Sequence, residues 1–139
     1  MNDYTWEQLE VGLTESFVVS VDEQKMKSFC DITGDVNPLH NDEEFARENG
    51  YPARVCFGML TASFLSTLAG VYLPGVRSLI QEVDVKFVRP VFLGDCLTIT
   101  GTVKELNHTV LQMVLNVVVV NQKGEKVLRG KMKVGLINE

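Results

Sequence analysis

The chain has 139 residues, 45% of them apolar and 22% charged, proportions that belong to a globular protein with one core, expected as a single domain over residues 1–139. With 13 basic against 18 acidic residues the net charge is −5, which removes the electrostatic footprint of a nucleic-acid partner or of an anionic membrane surface. No apolar run reaches membrane-spanning length, and Cys30, Cys56 and Cys96 are an odd, scattered set that fits free thiols in a reducing, cytoplasmic setting better than disulfides or a thiolate metal site.

In chain order, residues 1–6 lack a basic-then-apolar leader pattern, and residues 17–19 predict a short strand. Ser20 and Glu23 have the spacing of a capping box, and Met26, Phe29 and Cys30 then give a helix one apolar face. That helix should end at Gly34. Asn41 or Asp42 caps a second short helix running to Asn49, which Gly50 closes, and residues 51–54 form a loop. From Gly58, residues 59–73 are apolar on nearly every side, the mark of a buried helix, and Pro74-Gly75 ends it. The period then changes from helical to alternating. Val83, Val85 and Phe87 alternate with charged residues, as in a half-buried strand that Arg89-Pro90 interrupts. Residues 97–103 form the next strand, 110–120 a central one, and 127–136 the last. The turns fall at Asn107-His108 and residues 121–124. Helices followed by long antiparallel strands make an α+β fold.

The most informative stretch is Thr33-Gly34-Asp35-Val36-Asn37-Pro38-Leu39-His40-Asn41-Asp42. Pro38 lacks a backbone donor and disfavours the helical conformation at Asn37, so a non-helical bend is expected between Asp35 and His40. Such a bend brings a carboxylate and an imidazole toward one small volume, where they can share acid and base work near neutral pH. The alternative is a polar loop in which Asp35 caps a turn and His40 packs beside it.

This stretch resembles the signature of the MaoC-like, R-specific enoyl-CoA hydratases, Gly-Asp-x-Asn-Pro-Leu/Ile-His-x-Asp, and matches it at each of those positions. The resemblance runs from about Tyr4 to Leu136. It implies a hot-dog fold, a long helix wrapped by a curved antiparallel sheet. It also implies reversible addition of water to a trans-2-enoyl thioester, giving the R-3-hydroxyacyl thioester. Asp35 and His40 would be the water-activating pair, and the Gly58 amide, at a helix start, would receive the charge that develops on the thioester oxygen. For Gly58 the other reading is a glycine needed only for a sharp bend into the helix, and the two are compatible. Asn37 would brace the catalytic loop, or simply form an Asx turn. Ser63 matches a serine near the active centre of relatives, or bonds back to its own helical turn. Phe57 departs from the pattern, because relatives commonly carry histidine before this glycine. An acyl-pocket lining is the role expected of its ring.

The expected partner is an acyl-CoA, or an acyl-carrier-protein thioester, and relatives pair sheet edges into homodimers or assemblies of dimers. No metal or redox cofactor is implied. Arg129, Lys131 and Lys133, with Lys86 and Arg89, are either receptors for coenzyme A phosphates or a solvated face. His108 is expected as a solvated turn residue. Two other functions compete: a hot-dog acyl-CoA thioesterase and a non-catalytic acyl-CoA binding subunit. The thioesterase usually needs a carboxylate on the central helix, and residues 59–73 contain no Asp or Glu.

Overall fold

A computed structural model describes residues 1–137. Its frame is a five-stranded antiparallel sheet in the order β1-β3-β4-β5-β2. The strands are β1 (Thr14–Ser20), β2 (Ser78–Phe87), β3 (Cys96–Asn107), β4 (Gln112–Val120) and β5 (Lys126–Leu136). Between β1 and β2 lie α1 (Glu23–Thr33), α2 (Pro38–Asn41), α3 (Glu43–Glu48) and α4 (Gly58–Thr67), the last continuing as a π-helical turn over Leu68–Tyr72. This is the hot-dog arrangement expected from the motif.

The alternation read in the sequence becomes two faces of the sheet, because successive side chains point to opposite sides. Leu97, Ile99 and Val103 on β3, Met113, Leu115, Val117 and Val119 on β4, and Leu128, Met132 and Val134 on β5 are all buried. Across the ladder they stand in register, Ile99 against Val119 and Val119 against Leu128. Leu65, Leu68, Ala69 and Leu73, from α4 and its π-helical end, are buried in the same core. Gly101 permits this close approach: a Cβ there would stand 2.8 Å from Leu68 Cδ2. The opposite face mixes valines with polar residues, and there Thr14 pairs with Thr102 and Ser16 with Thr100 through their hydroxyls at 3.0 and 3.1 Å. Lys133 on that face is ion-paired with Glu82 at 3.4 Å, in keeping with a solvated face.

Several local expectations change. Ser20 is no helix cap: it is held in β1 opposite Cys96, and Asp22 caps α1 by accepting the Lys25 amide at 2.8 Å. The helix does end at Gly34, whose φ of 73° is the left-handed geometry that favours glycine. The bend at Pro38 is itself helical. Proline occupies the first turn of α2, where its missing N–H has no helical partner to lose. Asp42 caps α3 through the Phe45 amide. Strand β2 is longer than expected and is an edge strand, so Val83 and Phe87 are 45% and 50% exposed and only Val85 is partly covered. Val110 lies in the turn before β4 and not in the strand. His108 is not merely solvated: Trp6 Nε1 donates to its Nδ1 at 2.9 Å, tying the N-terminal segment to that turn.

Candidate active site

The loop from α1 to α2 is built by polar side chains that replace missing backbone partners. Thr33 Oγ1 accepts the Asp35 amide at 3.2 Å, Asp35 Oδ1 accepts the Asn37 amide at 3.1 Å, and Asn37 Oδ1 accepts the Leu39 amide at 2.9 Å. Asn37 thus starts α2 as an Asx cap. Its carbonyl also braces the loop, accepting the His40 amide and Asn41 Nδ2 at 3.1 and 3.0 Å. These successive turns deliver His40 at the end of α2.

His40 Nδ1 lies 2.8 Å from the Val55 carbonyl oxygen. A carbonyl only accepts, so Nδ1 carries the proton and the neutral ring keeps its lone pair on Nε2. Val55 reaches that position in an extended strap. Its amide donates to Leu39 O at 3.1 Å, the Cys56 amide donates to Val91 O at 2.6 Å, and the Leu93 amide donates to Arg54 O at 3.0 Å. The imidazole packs on Phe57 with ring centroids 4.3 Å apart, and Phe57 packs in turn on Phe29 at 5.0 Å. Phe57 is 2% exposed and belongs to the core. It does not line the cleft as expected of an acyl-pocket residue, because its ring is directed inward between α1 and the imidazole.

A cleft of about 290 Å³ opens beside His40, lined also by Cys56, Gly58, Thr61, Phe87 and Val91. Gly58 is the first residue of α4, so its amide has no acceptor within the helix. A Cβ at Gly58 would meet the Phe87 ring at 3.3 Å, so glycine keeps the space between helix start and ring open. Arg89 brings a cation to the cleft and pairs with Glu125 at 3.3 Å. Cys56 is buried there, which pushes its thiol up to about 11 and leaves it a poor nucleophile at neutral pH.

The structure therefore brings His40 and Gly58 together. Asp35 is exposed and does not line the cleft, since its carboxylate is turned back to the Asn37 amide. Ser63 also lies outside the lining, with its hydroxyl donating to Leu60 O in its own turn at 2.6 Å. Among the described residues no group of His, Cys, Asp and Glu side chains could hold a metal ion. Sequence reasoning missed Val55, Phe87 and Arg54. Val55 acts through its backbone, and Phe87 fits the alternation of a half-buried strand, which carries no sign of a cleft. Arg54 did leave a signal, a lone charge in the otherwise uncharged run from Gly50 to Leu60.

The model of the MaoC like domain family matches residues 8–126. The 3-hydroxybutyryl-CoA dehydratase of Methylorubrum extorquens is 36% identical over 101 residues, 73% of this chain, which spans 64% of that relative's length. An (R)-specific enoyl-CoA hydratase of Aeromonas caviae is 31% identical over 130 residues, covering 94% of this chain and 97% of the relative. The solved structure of the (R)-hydratase from A. caviae involved in PHA biosynthesis superposes with a TM-score of 0.91 at 30% identity, over 94% of this chain and 99% of that one. The chain belongs to the MaoC-like domain family.

Proposed function

We propose that the chain is an R-specific enoyl-CoA hydratase, adding water to a trans-2-enoyl-CoA to form the (R)-3-hydroxyacyl-CoA and catalysing the reverse dehydration. The observation that carries this reading is His40, held through Nδ1 so that Nε2 is left for chemistry beside the amide of Gly58. The oxygen of water bonds to the β carbon, one of its protons passes to the enzyme, and a proton reaches the α carbon. No electrons leave the substrate, so the reaction calls for no redox cofactor. His40 and Asp35 hold and deprotonate the water and return the proton. For Asp35 this requires its carboxylate to swing from the Asn37 amide toward the cleft as substrate binds. The Gly58 amide receives the charge that builds on the thioester oxygen. An acyl-carrier-protein thioester presents the same reacting atoms.

The exposed edge of β2 carries Leu79, Ile80, Val83 and Phe87, apolar residues that a monomer would leave against water. Pairing two copies along this edge extends the sheet and covers Phe87, which lines the cleft. A homodimer is therefore part of the proposal.

Hydration of crotonyl-CoA, followed by loss of the conjugated enoyl absorbance with the product's stereochemistry determined, tests the reading. Formation of the R product by the parent, and its loss in Asp35→Asn and His40→Gln, is expected. Release of free thiol without hydration would replace the proposal with a thioesterase. Binding of C4 to C12 and carrier-bound enoyl thioesters without turnover would replace it with a binding subunit.

A further inference from the structure

We infer that Arg54 is a positioning residue for His40, acting as a clamp between the catalytic turn and the start of α1. Helix α2 has only four residues and cannot hold its own end. The His40 carbonyl is one of the helix-end acceptors left without a partner in the helix. Arg54 Nε donates to that carbonyl at 2.7 Å. From the same planar guanidinium, Nη1 donates to both carboxylate oxygens of Glu23, at 2.8 and 2.7 Å. Glu23 is the first residue of α1, so the fork fixes the turn against a helix packed on the core.

The next residue completes the clamp. Val55 gives its amide to Leu39 O and takes the His40 Nδ1 proton on its own carbonyl. Two adjacent strap residues thus grip two adjacent turn residues by backbone, ring and guanidinium together. The Arg54 side chain is only 14% exposed while its partner Glu23 is 65% exposed, so the guanidinium is the enclosed half of the pair. An enclosed guanidinium satisfied on two sides has a set orientation, and that orientation is imposed on the His40 carbonyl. If it is lost, the turn can shift relative to the strap, and the bond from Nδ1 to Val55 O, which decides the ring's tautomer, slackens. Lysine cannot reproduce this, because a single ammonium on a flexible stem lacks the fork that reaches two partners in fixed directions.

In its effect on turnover the inference rests on the reading of His40 as a catalytic base. Its structural part does not, and the test separates the two. Crotonyl-CoA kinetics and side-chain ¹⁵N spectra would be recorded on the full chain for the parent, Arg54→Ala, Arg54→Lys and Glu23→Gln. Only two histidines contribute, so His108 serves as an internal reference remote from the clamp. In Arg54→Ala, kcat should fall by about 10- to 100-fold, because small misplacement of a reacting group is costly, while KM changes by less than about threefold. The His40 spectrum should lose its pure Nδ1–H character and that of His108 should not move. Arg54→Lys should recover little of either. Glu23→Gln, which leaves the bond to the His40 carbonyl in place, should show a smaller shift in the same direction. Should Arg54→Ala fail to fold, Glu23→Gln and Arg54→Lys still decide the matter. Parent-like His40 spectra and kcat in these variants would overturn the inference and leave Arg54 a simple tether of the strap. A parent that does not hydrate the substrate, with the His40 spectra still responding to Arg54, would overturn the proposed function and not the clamp.

Discussion

The two histidines of this chain are each held at Nδ1, and in opposite senses. At His40 the partner is the Val55 carbonyl, at 2.8 Å, so the ring donates. At His108 the partner is the Trp6 indole N–H, at 2.9 Å, so the ring accepts and its proton must sit on Nε2. One imidazole thus keeps a lone pair for its cleft, and the other shows solvent an N–H. Protonation adds the proton at Nε2 of His40 and leaves its bond to Val55 intact. In His108 it places a donor against a donor and breaks the contact with Trp6. The pair shows that the partner at one nitrogen sets what the other can do. A histidine's chemistry is therefore decided by the backbone or side chain brought to it, and here that is a strap for one ring and an N-terminal turn for the other.

The comparison breaks most visibly in turnover. His40→Gln should lower kcat for crotonyl-CoA hydration by about 10²- to 10⁴-fold, the usual contribution of a general base, whereas His108→Gln should leave it near the parent value. Equal losses in both would mean that the tautomers have nothing to do with catalysis. The packing around the two rings should differ almost as much. Phe57→Ala removes a buried ring lying 4.3 Å from the imidazole of His40, and should cost about 3–5 kcal/mol in urea unfolding. Trp6→Phe should cost only about 1 kcal/mol through the lost hydrogen bond. A larger cost for Trp6→Phe than for Phe57→Ala would show that the N-terminal segment, and not the His40 cleft, is anchored in the core.

Alkaline pH sharpens the contrast further, because only the cleft of His40 contains a buried thiol. Folding raises Cys56 from 9.0 to about 11, since burial penalises the thiolate. The unfolded chain then releases this proton first as pH rises. The contribution is fully present below 9.0 and is lost as pH climbs through about 11, by up to about 3 kcal/mol. Urea midpoints between those pH values should fall more steeply in the parent than in Cys56→Ala, and parallel curves would disprove the assignment. The smallest effect is spectroscopic. With both rings neutral, ¹⁵N spectra should show a protonated Nδ1 in His40 and a protonated Nε2 in His108. Matching tautomers would dissolve the comparison altogether.

Much of the molecule was legible in local pattern. The stop at Gly34, the cap at Asp42, the apolar helix from Gly58 and the last three strands follow from periods of 3.6 and 2 and from residues suited to helix ends. Ser63 bonded back to Leu60 was likewise foreseeable as a property of serine in a helix. The errors share a cause. Ser20 has the spacing of a cap, yet pairing with β3 holds it in a strand, and Asp22 takes the role. Val83 and Phe87 alternate as though half-buried, but which strand ends a sheet is decided by pairing order, and β2 is at the edge.

By itself the sequence determined the elements and the chemical inventory, because periodicity, capping and the run from Gly34 to His40 act over a few residues. Tertiary structure alone decided the use of that inventory. It set the His40 proton by bringing up Val55, 15 residues away, and placed Arg54 between His40 and Glu23, 31 residues back. It also withdrew Phe57 into the core and left Asp35 turned toward its own loop. Hydrogen-bond direction and burial depend on what the folded chain places at each atom, and no local spacing carries that information.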